Sequence, residues 1–180
     1  MYTPREDSYF LSEQIDKFLK KIKNKKIKIL DVGAGTGIQA ETCLSLGFKN
    51  ILCVDIDKES IDFLKKKKFK AIKSNLFSNP KLNSKKFNLI VFNPPYLPED
   101  KTGFDKEKDT TGGKYGYEAI IRFLKQAKNH LKKDGKILLL FSSLSNPKII
   151  KKKAEELGYS MKLLAKKRIF FEELFVYEVT

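Results

Sequence analysis

The stretch Asp31-Val32-Gly33-Ala34-Gly35-Thr36-Gly37 constrains the fold of this chain more than any other segment. It follows the apolar run Ile27 to Val32 and leads into a segment, Thr36 to Leu46, with helical spacing that stops at Gly47. Strand, glycine-rich turn and helix in that order open a βαβ unit, at the position where a doubly wound sheet binds nucleotides. Glycines there let the backbone turn without a Cβ clash and approach a ligand closely. The dinucleotide fingerprint G-x-G-x-x-G is not met: Gly33 and Gly35 fit, but the third place is Ile38 and the glycine falls one residue early, at Gly37. No Gly-Lys-Ser/Thr follows, so a Walker loop is excluded. Asp31 would repel a pyrophosphate and suits a cation, an ammonium or a sulfonium. Asp55 ends the next apolar strand, twenty residues beyond Gly35, where a carboxylate can accept from both ribose hydroxyls. A nucleoside with a cationic arm and no phosphates is S-adenosylmethionine; a dinucleotide site with a degenerate fingerprint is the alternative.

The rest of the chain repeats the strand–helix alternation. Helical spacing runs over 6–23, through Phe10, Leu11, Ile15, Phe18, Leu19 and Ile22, and again over 58–67, 117–131 and from Pro147 to Leu157. Strands are expected over 27–32, 51–55, 69–73, 87–92 and 136–141. The tail from Tyr159 to Val179 reads as two strands around Lys166-Lys167, with no helix between them, and therefore antiparallel. The expected fold is α/β: a seven-stranded, mostly parallel sheet flanked by helices, with the last strand antiparallel. One domain spans 1–180, with 1–24 as an N-terminal helical segment. Residues 98–114 show no periodicity and read as a long loop, and 97–114 is the expected substrate loop, with charges of both signs.

Composition narrows the setting. No apolar run reaches the length of a membrane span, and acidic residues near the start replace the apolar stretch of a signal peptide. The two cysteines, Cys43 and Cys53, allow neither a disulfide scaffold nor a cysteine-rich zinc site, and a reduced cytoplasmic compartment is expected. The net charge is +15, almost all of it lysine, with arginine only at 5, 122 and 168. A lysine coat fits either a ribosomal or RNA surface as partner or a solubility or habitat feature. The run Lys65 to Lys68 suits the negative end of a helix dipole.

The second chemical signal is Asn93-Pro94-Pro95-Tyr96, at the end of the strand 87–92. Two prolines fix the chain and remove two backbone donors, leaving carbonyls and the Asn93 amide oxygen as acceptors. A planar NH₂ group fits this arrangement: Asn93 and the Pro94 carbonyl each accept one N–H, and the Tyr96 ring covers the flat face. A rigid strand exit with Tyr96 as core filler leaves the polar Asn93 at the ligand edge unexplained. The one histidine, His130, falls near a helix end and is expected to face water or the dipole.

Taken with the glycine loop, Asn93-Pro94-Pro95-Tyr96 resembles the motif of class I methyltransferases that modify exocyclic or amide nitrogens. Tyr2-Thr3-Pro4-Arg5-Glu6-Asp7-Ser8 is similar to the opening segment of the short archaeal and eukaryotic members of the HemK/PrmC-like release-factor glutamine methyltransferases. Thr111-Gly112-Gly113-Lys114-Tyr115-Gly116 matches their downstream Gly-Gly-x-x-Gly stretch. The resemblance covers essentially the whole chain. It implies a Rossmann-like class I methyltransferase using S-adenosylmethionine, with Ser8, Asp31, Gly33, Gly35, Gly37, Asp55, Ile56, Asn75, Leu76 and Asn93 around the cofactor. It also implies Asn93, Pro94, Pro95 and Tyr96 around the substrate, of which Asn93, Pro94 and Tyr96 are catalytic. Asn75 stands where the family usually shows Asp; its amide oxygen still accepts from the adenine amino group. The substrate implied is a class I release factor, methylated at N5 of the glutamine in its Gly-Gly-Gln loop. The partner implied is a small zinc-binding activator that adds a strand beside residues 69–73, the zinc belonging to the partner.

Other readings stay open. Adenine-N6 methylation of DNA or RNA shares the motif and suits the charge, but leaves no length for a recognition domain. Protein lysine methylation would need a base to deprotonate the ammonium. A non-enzymatic RNA- or ribosome-binding module would leave both motifs without a purpose. Asp7 and Ser8 fit the first turn of a helix near its cap, and Thr3 to Ser8 could instead fold over the cofactor.

Overall fold

The structure, a computed structural model, describes residues 3–99 and 111–180. Tyr2 and the middle of the expected substrate loop lie outside the described residues. In chain order the elements are α1 Glu6–Leu19, β1 Ile29–Val32, α2 Ile38–Ser45, β2 Ile51–Asp55, α3 Lys58–Lys66, β3 Lys70–Lys73 and β4 Phe87–Phe92. There follow β5 Leu97–Pro98, β6 Thr111–Gly113, α4 Glu118–Ala127, β7 Leu131–Ser142, α5 Pro147–Glu156, β8 Met161–Ile169 and β9 Glu172–Val179.

Seven strands form one sheet in the order β3-β2-β1-β4-β7-β9-β8. The pairs from β3 to β7 are parallel, and β9 is antiparallel to both β7 and β8. This is the expected seven-stranded, mostly parallel sheet, with the last strand inserted between the two before it. Alternate residues bury on opposite faces, so a central strand needs an apolar residue at every position. On β7, Ile137, Leu139 and Phe141 enter one core with Ile120, Phe123 and Leu124 of α4 and Ile150 of α5. Leu138 and Leu140 enter the other, with Phe10, Leu11 and Ile15 of α1, Ala40 of α2 and Leu64 of α3. α1 is therefore built into the core rather than appended to it.

Four expectations need correction. α1 stops at Leu19 rather than near residue 23, because from Lys21 on the chain turns through short i to i−3 bonds. The helix after Tyr117 yields to a 3₁₀ turn at Lys128–His130, and β7 starts at Leu131. His130 does not face water: it is buried, its ring stacked on Phe77 at 4.4 Å and its Nδ1 3.0 Å from the Lys85 carbonyl. The tail turns at Phe170-Phe171 and not at Lys166-Lys167, which lie inside β8. The expected loop 98–114 also has structure at its described ends, where β5 pairs parallel with β6.

The strand order reverses between β1 and β4, whose carboxyl ends carry Gly33 and Asn93. That is the topological switch point, where an open α/β sheet has room for a ligand.

Candidate active site

A cleft of about 430 Å³ opens at this edge, within the range of small-molecule sites. Gly33, Gly35 and Thr36 form its floor, Asp55 and Ile56 one side, Asn93 to Tyr96 another, and Asp7, Ser8, Ile169 and Glu172 close it from above. Of the residues expected from sequence, Ser8, Gly33, Gly35, Asp55, Ile56, Asn93, Pro94, Pro95 and Tyr96 are brought together here. Asp31, Gly37, Asn75 and Leu76 are not part of its wall.

Each of those four has a visible setting. Asp31 is buried on β1 behind the glycine loop, with Oδ2 lacking any hydrogen-bond partner. Burial lifts its pKa to about 8, against a hydrogen bond from the Ala40 backbone and with help from the charge of Asp55. Gly37 precedes α2 with φ +87°, a left-handed conformation that favours glycine, and a Cβ there would also press on the Leu64 side-chain tip of α3 at 2.7 Å. Leu76 sits in the core with φ +53°, and Asn75 is exposed beside it.

Asp55 is held by the loop it faces. Its Oδ2 accepts from the Gly35 N–H at 2.8 Å and its Oδ1 from the Asp57 N–H at 2.8 Å. This places the carboxylate at the cleft wall, with the half-exposed Ile56 next to it.

The Asn93 loop is fixed from three directions. Ser145 Oγ donates to the Tyr96 carbonyl at 2.9 Å. A Cβ on Gly112 would lie 2.7 Å from the Pro95 carbonyl, and one on Gly116, at φ +80°, would collide with the Tyr96 carbonyl. The Gly-Gly-x-x-Gly stretch is thus the surface on which the Asn93 loop rests, backbone against backbone. The third support comes from α1. Asn93 Nδ2 donates to Asp7 Oδ2 at 2.9 Å, and Ser8 Oγ donates to Asp7 Oδ1 at 3.3 Å. A carboxylate only accepts, so it must face the NH₂ end of the amide. Asn93 Oδ1 is therefore turned away from Asp7, and it is buried without a partner.

Asp7 lies in the first turn of α1, as its position suggests, just after the N-cap Arg5, and its carboxylate is spent on Asn93 rather than on capping the helix. Its contact with Asn93 spans 86 residues, and no local sequence pattern signals it. Glu172 was equally invisible, being one of several acids in a strand that carries no motif. Its Oε2 is a buried acceptor without a partner. Burial raises its pKa, with a hydrogen bond to Ser142 opposing and the charge of Asp7 assisting.

Among the described residues, four side-chain polar atoms are buried without a partner: Asp31 Oδ2, Gln39 Oε1, Asn93 Oδ1 and Glu172 Oε2. All four are acceptors, and Gln39, Asn93 and Glu172 line the cleft. An orphaned buried acceptor costs about 1–3 kcal/mol, so the site is built for ligands that bring N–H or O–H donors. S-adenosylmethionine fits: its ammonium and ribose are such donors, and its positive charge suits the acids.

This fold and this cleft define a Rossmann-like class I methyltransferase that uses S-adenosylmethionine. The sequence matches the methyltransferase small domain family over residues 8–167. A Methanocaldococcus jannaschii protein, whose name assigns it protein N5-glutamine methyltransferase activity, is 36% identical over 188 residues, 98% of this chain and 89% of its own length. The release factor glutamine methyltransferase of Clostridium botulinum is 36% identical over 140 residues, 66% of this chain and 48% of its own. The E. cuniculi Mtq2-Trm112 complex, which methylates the termination factor eRF1, has a chain superposing with a TM-score of 0.77 at 24% identity, covering 99% of this chain and 96% of that one. The chain belongs to the methyltransferase small domain family and, within it, to the HemK/PrmC-like protein-glutamine methyltransferases.

Proposed function

We propose that this protein transfers a methyl group from S-adenosylmethionine to N5 of the glutamine in the Gly-Gly-Gln loop of a class I release factor. The observation that carries the reading is Asn93 Oδ1, a buried and unpartnered acceptor on a residue that lines the cleft and whose NH₂ end is taken by Asp7. A primary amide or an exocyclic amine offers the N–H that this oxygen lacks. The relatives named for release-factor methylation favour the amide.

In this reading Asp55 takes the ribose hydroxyls and Gly33 and Gly35 admit the amino-acid arm, while the buried Asp31 acts on its ammonium from behind the glycine loop, outside the cleft wall. Gly37, Asn75 and Leu76 act behind these, holding α2 and the turn after β3. Ser8 acts through Asp7. S-adenosylmethionine held by these residues would supply an electrophilic methyl group on a sulfonium, with a neutral thioether as leaving group.

The chain's own work is to prepare the nitrogen. An amide lone pair is delocalised, so the nitrogen attacks only when held in line. Asn93 Oδ1 and the Pro94 carbonyl accept its two N–H groups and stabilise the positive charge that grows on it, and the Tyr96 ring covers the flat face. Such preorganised acceptors act without reorganising during the reaction. On taking up the methyl group the nitrogen would give up one proton to water, which the open cleft admits. His130 takes no part, stacked on Phe77 under the 3₁₀ turn.

A small zinc-binding activator pairs with the open edge of β3. Among the described residues β3 has only β2 as neighbour, and its lysines at 70 and 73 are exposed. No helix among the described residues is long and apolar enough to cross a membrane. We place the enzyme in the cytoplasm, where translation termination takes place.

The test offers labelled S-adenosylmethionine with release factor, tRNA, rRNA and duplex DNA side by side, with the activator present, and locates the methyl group by mass. Label on the glutamine of the Gly-Gly-Gln loop is expected. Asn93→Ala should bind S-adenosylhomocysteine normally and transfer about 10²–10³-fold more slowly, the usual cost of one preorganised polar contact. Near-normal transfer by that variant, or label on adenine, would overturn the reading.

A further inference from the structure

We propose that the β8–β9 hairpin is the docking element for the polypeptide that presents the methyl-accepting glutamine: Glu172 accepts an N–H from it, and the Phe170-Phe171 tip packs on its apolar residues. The inference rests on the protein-glutamine reading above and adds the surface that would recognise the protein.

The hairpin stands at the mouth of the site. β9 runs antiparallel to β7, and Leu174 pairs with Ser142 at the carboxyl end of β7. The turn between β8 and β9 therefore projects past the edge where Asn93 lies. Ile169 and Glu172, on either side of the turn, both line the cleft. Between them, Phe170 and Phe171 are 93% and 95% exposed, their ring centroids 6.5 Å apart. Two adjacent phenylalanines in water at a hairpin tip contribute nothing to the core. Exposed aromatics contiguous with a binding cleft mark a surface that another molecule covers.

Charge identifies the class of that molecule. The wall below the tip is acidic: Glu172 lies near Asp7, and Asp7 is bonded to Asn93. Glu172 Oε2 is buried and lacks a donor. A phosphate backbone brings acceptors and negative charge to this wall and would be repelled by it. A polypeptide brings main-chain and amide N–H donors. The cations near the tip are themselves matched: Lys166 pairs with Glu173 at 3.2 Å, Lys167 lies 3.9 Å from Glu6, Arg168 stands opposite Glu173 in the β8–β9 register, and Arg5 of the cleft wall has a partner of its own. An apolar tip above an acidic, acceptor-rich wall fits a protein loop and not a nucleic acid, whatever the lysines elsewhere on the surface attract.

The test uses the full chain with its activator, and three forms of it: unaltered, Phe170→Ser/Phe171→Ser, and Glu172→Gln. Substrates are intact release factor and a short peptide carrying Gly-Gly-Gln. Both Phe side chains are exposed, so their replacement leaves the fold intact. The double variant should raise KM for the intact factor about tenfold more than for the peptide, a difference of about 1.4 kcal/mol, with the same kcat and the same Kd for S-adenosylhomocysteine. Glu172→Gln should lower kcat/KM for factor and peptide alike, again with unchanged cofactor binding. An unchanged KM for the intact factor in the double variant would overturn the docking role. So would loss of rRNA binding by that variant while factor methylation holds. Failure of the unaltered complex to label the glutamine is a different result, visible before any variant is made, and it removes the acceptor assignment itself.

Discussion

Asp31→Asn should make the empty protein more stable at neutral pH while weakening cofactor binding. The buried Asp31 carboxyl has a pKa of about 8 in the folded chain and 3.8 as an ordinary side chain. Below the lower value both states hold the proton, and the contribution to stability is at its maximum. As pH rises toward 8 the unfolded chain ionises and the folded one does not, so stability is lost across that window and levels off above it. At about 1.4 kcal/mol per unit, the loss by pH 7 is about 4 kcal/mol. Asparagine does not titrate and escapes this penalty, but it leaves an NH₂ in a buried place, at about 1–3 kcal/mol. The net expectation at pH 7 is a gain of about 1–3 kcal/mol, shrinking and then reversing as pH falls toward 4. Urea unfolding of both proteins at pH 5, 7 and 8.5 measures the difference, and subtracting the two curves removes every other titrating group. Parallel pH dependences would refute the buried, protonated Asp31. The same proton should be released when a ligand brings its ammonium to this acid. Calorimetry with S-adenosylhomocysteine at pH 7, in phosphate and in Tris, should show release of close to one proton by the unaltered protein and none by the variant, whose affinity is lower.

Two further outcomes follow from particular contacts. Gly116→Ala puts a Cβ against the Tyr96 carbonyl at a left-handed φ, so it should cost at least the roughly 1 kcal/mol of that conformation and slow transfer more than it weakens cofactor binding; equal kcat would separate this stretch from the Asn93 loop. Proline at Ala71 or, separately, at Ile72 should abolish capture of the activator in at least one case, since alternate residues of an edge strand point their N–H groups outward; co-purification undiminished with both variants would move the docking site away from β3.

The parts of this molecule legible in the sequence are those whose cause is local. The glycine loop is read from a strand, a helix and the positive φ angles of Gly33, Gly35 and Gly37 between them. Asn93 is read from a strand that ends in two prolines. The hairpin turn was misplaced because polar Lys166-Lys167 is an ordinary turn signal, whereas the chain turns at two phenylalanines whose exposure no propensity explains. His130 reads as a solvated helix end, yet the helix tightens and tucks the ring under Phe77. Asp7 and Glu172 are hidden for a different reason. Asp7 meets Asn93 across 86 residues and Glu172 comes to Asp7 from near the other end of the chain, and only the closed sheet brings them there.

The placing of β9 between β7 and β8 also sets the order in which the molecule can become an enzyme. A chain stopped before Glu172 already holds the glycine loop, Asp55 and Asn93, everything needed to recognise a nucleoside. It lacks Leu174 and Val176 from the core that holds Leu138 and Leu140, the edge of β7 has no strand beside it, and β8 has no strand to pair with. Cofactor chemistry and acceptor recognition thus mature at different moments of synthesis. A copy ended there would hold the nucleoside-binding residues with the edge of β7 open and with neither Glu172 nor the Phe170-Phe171 turn in place above the site.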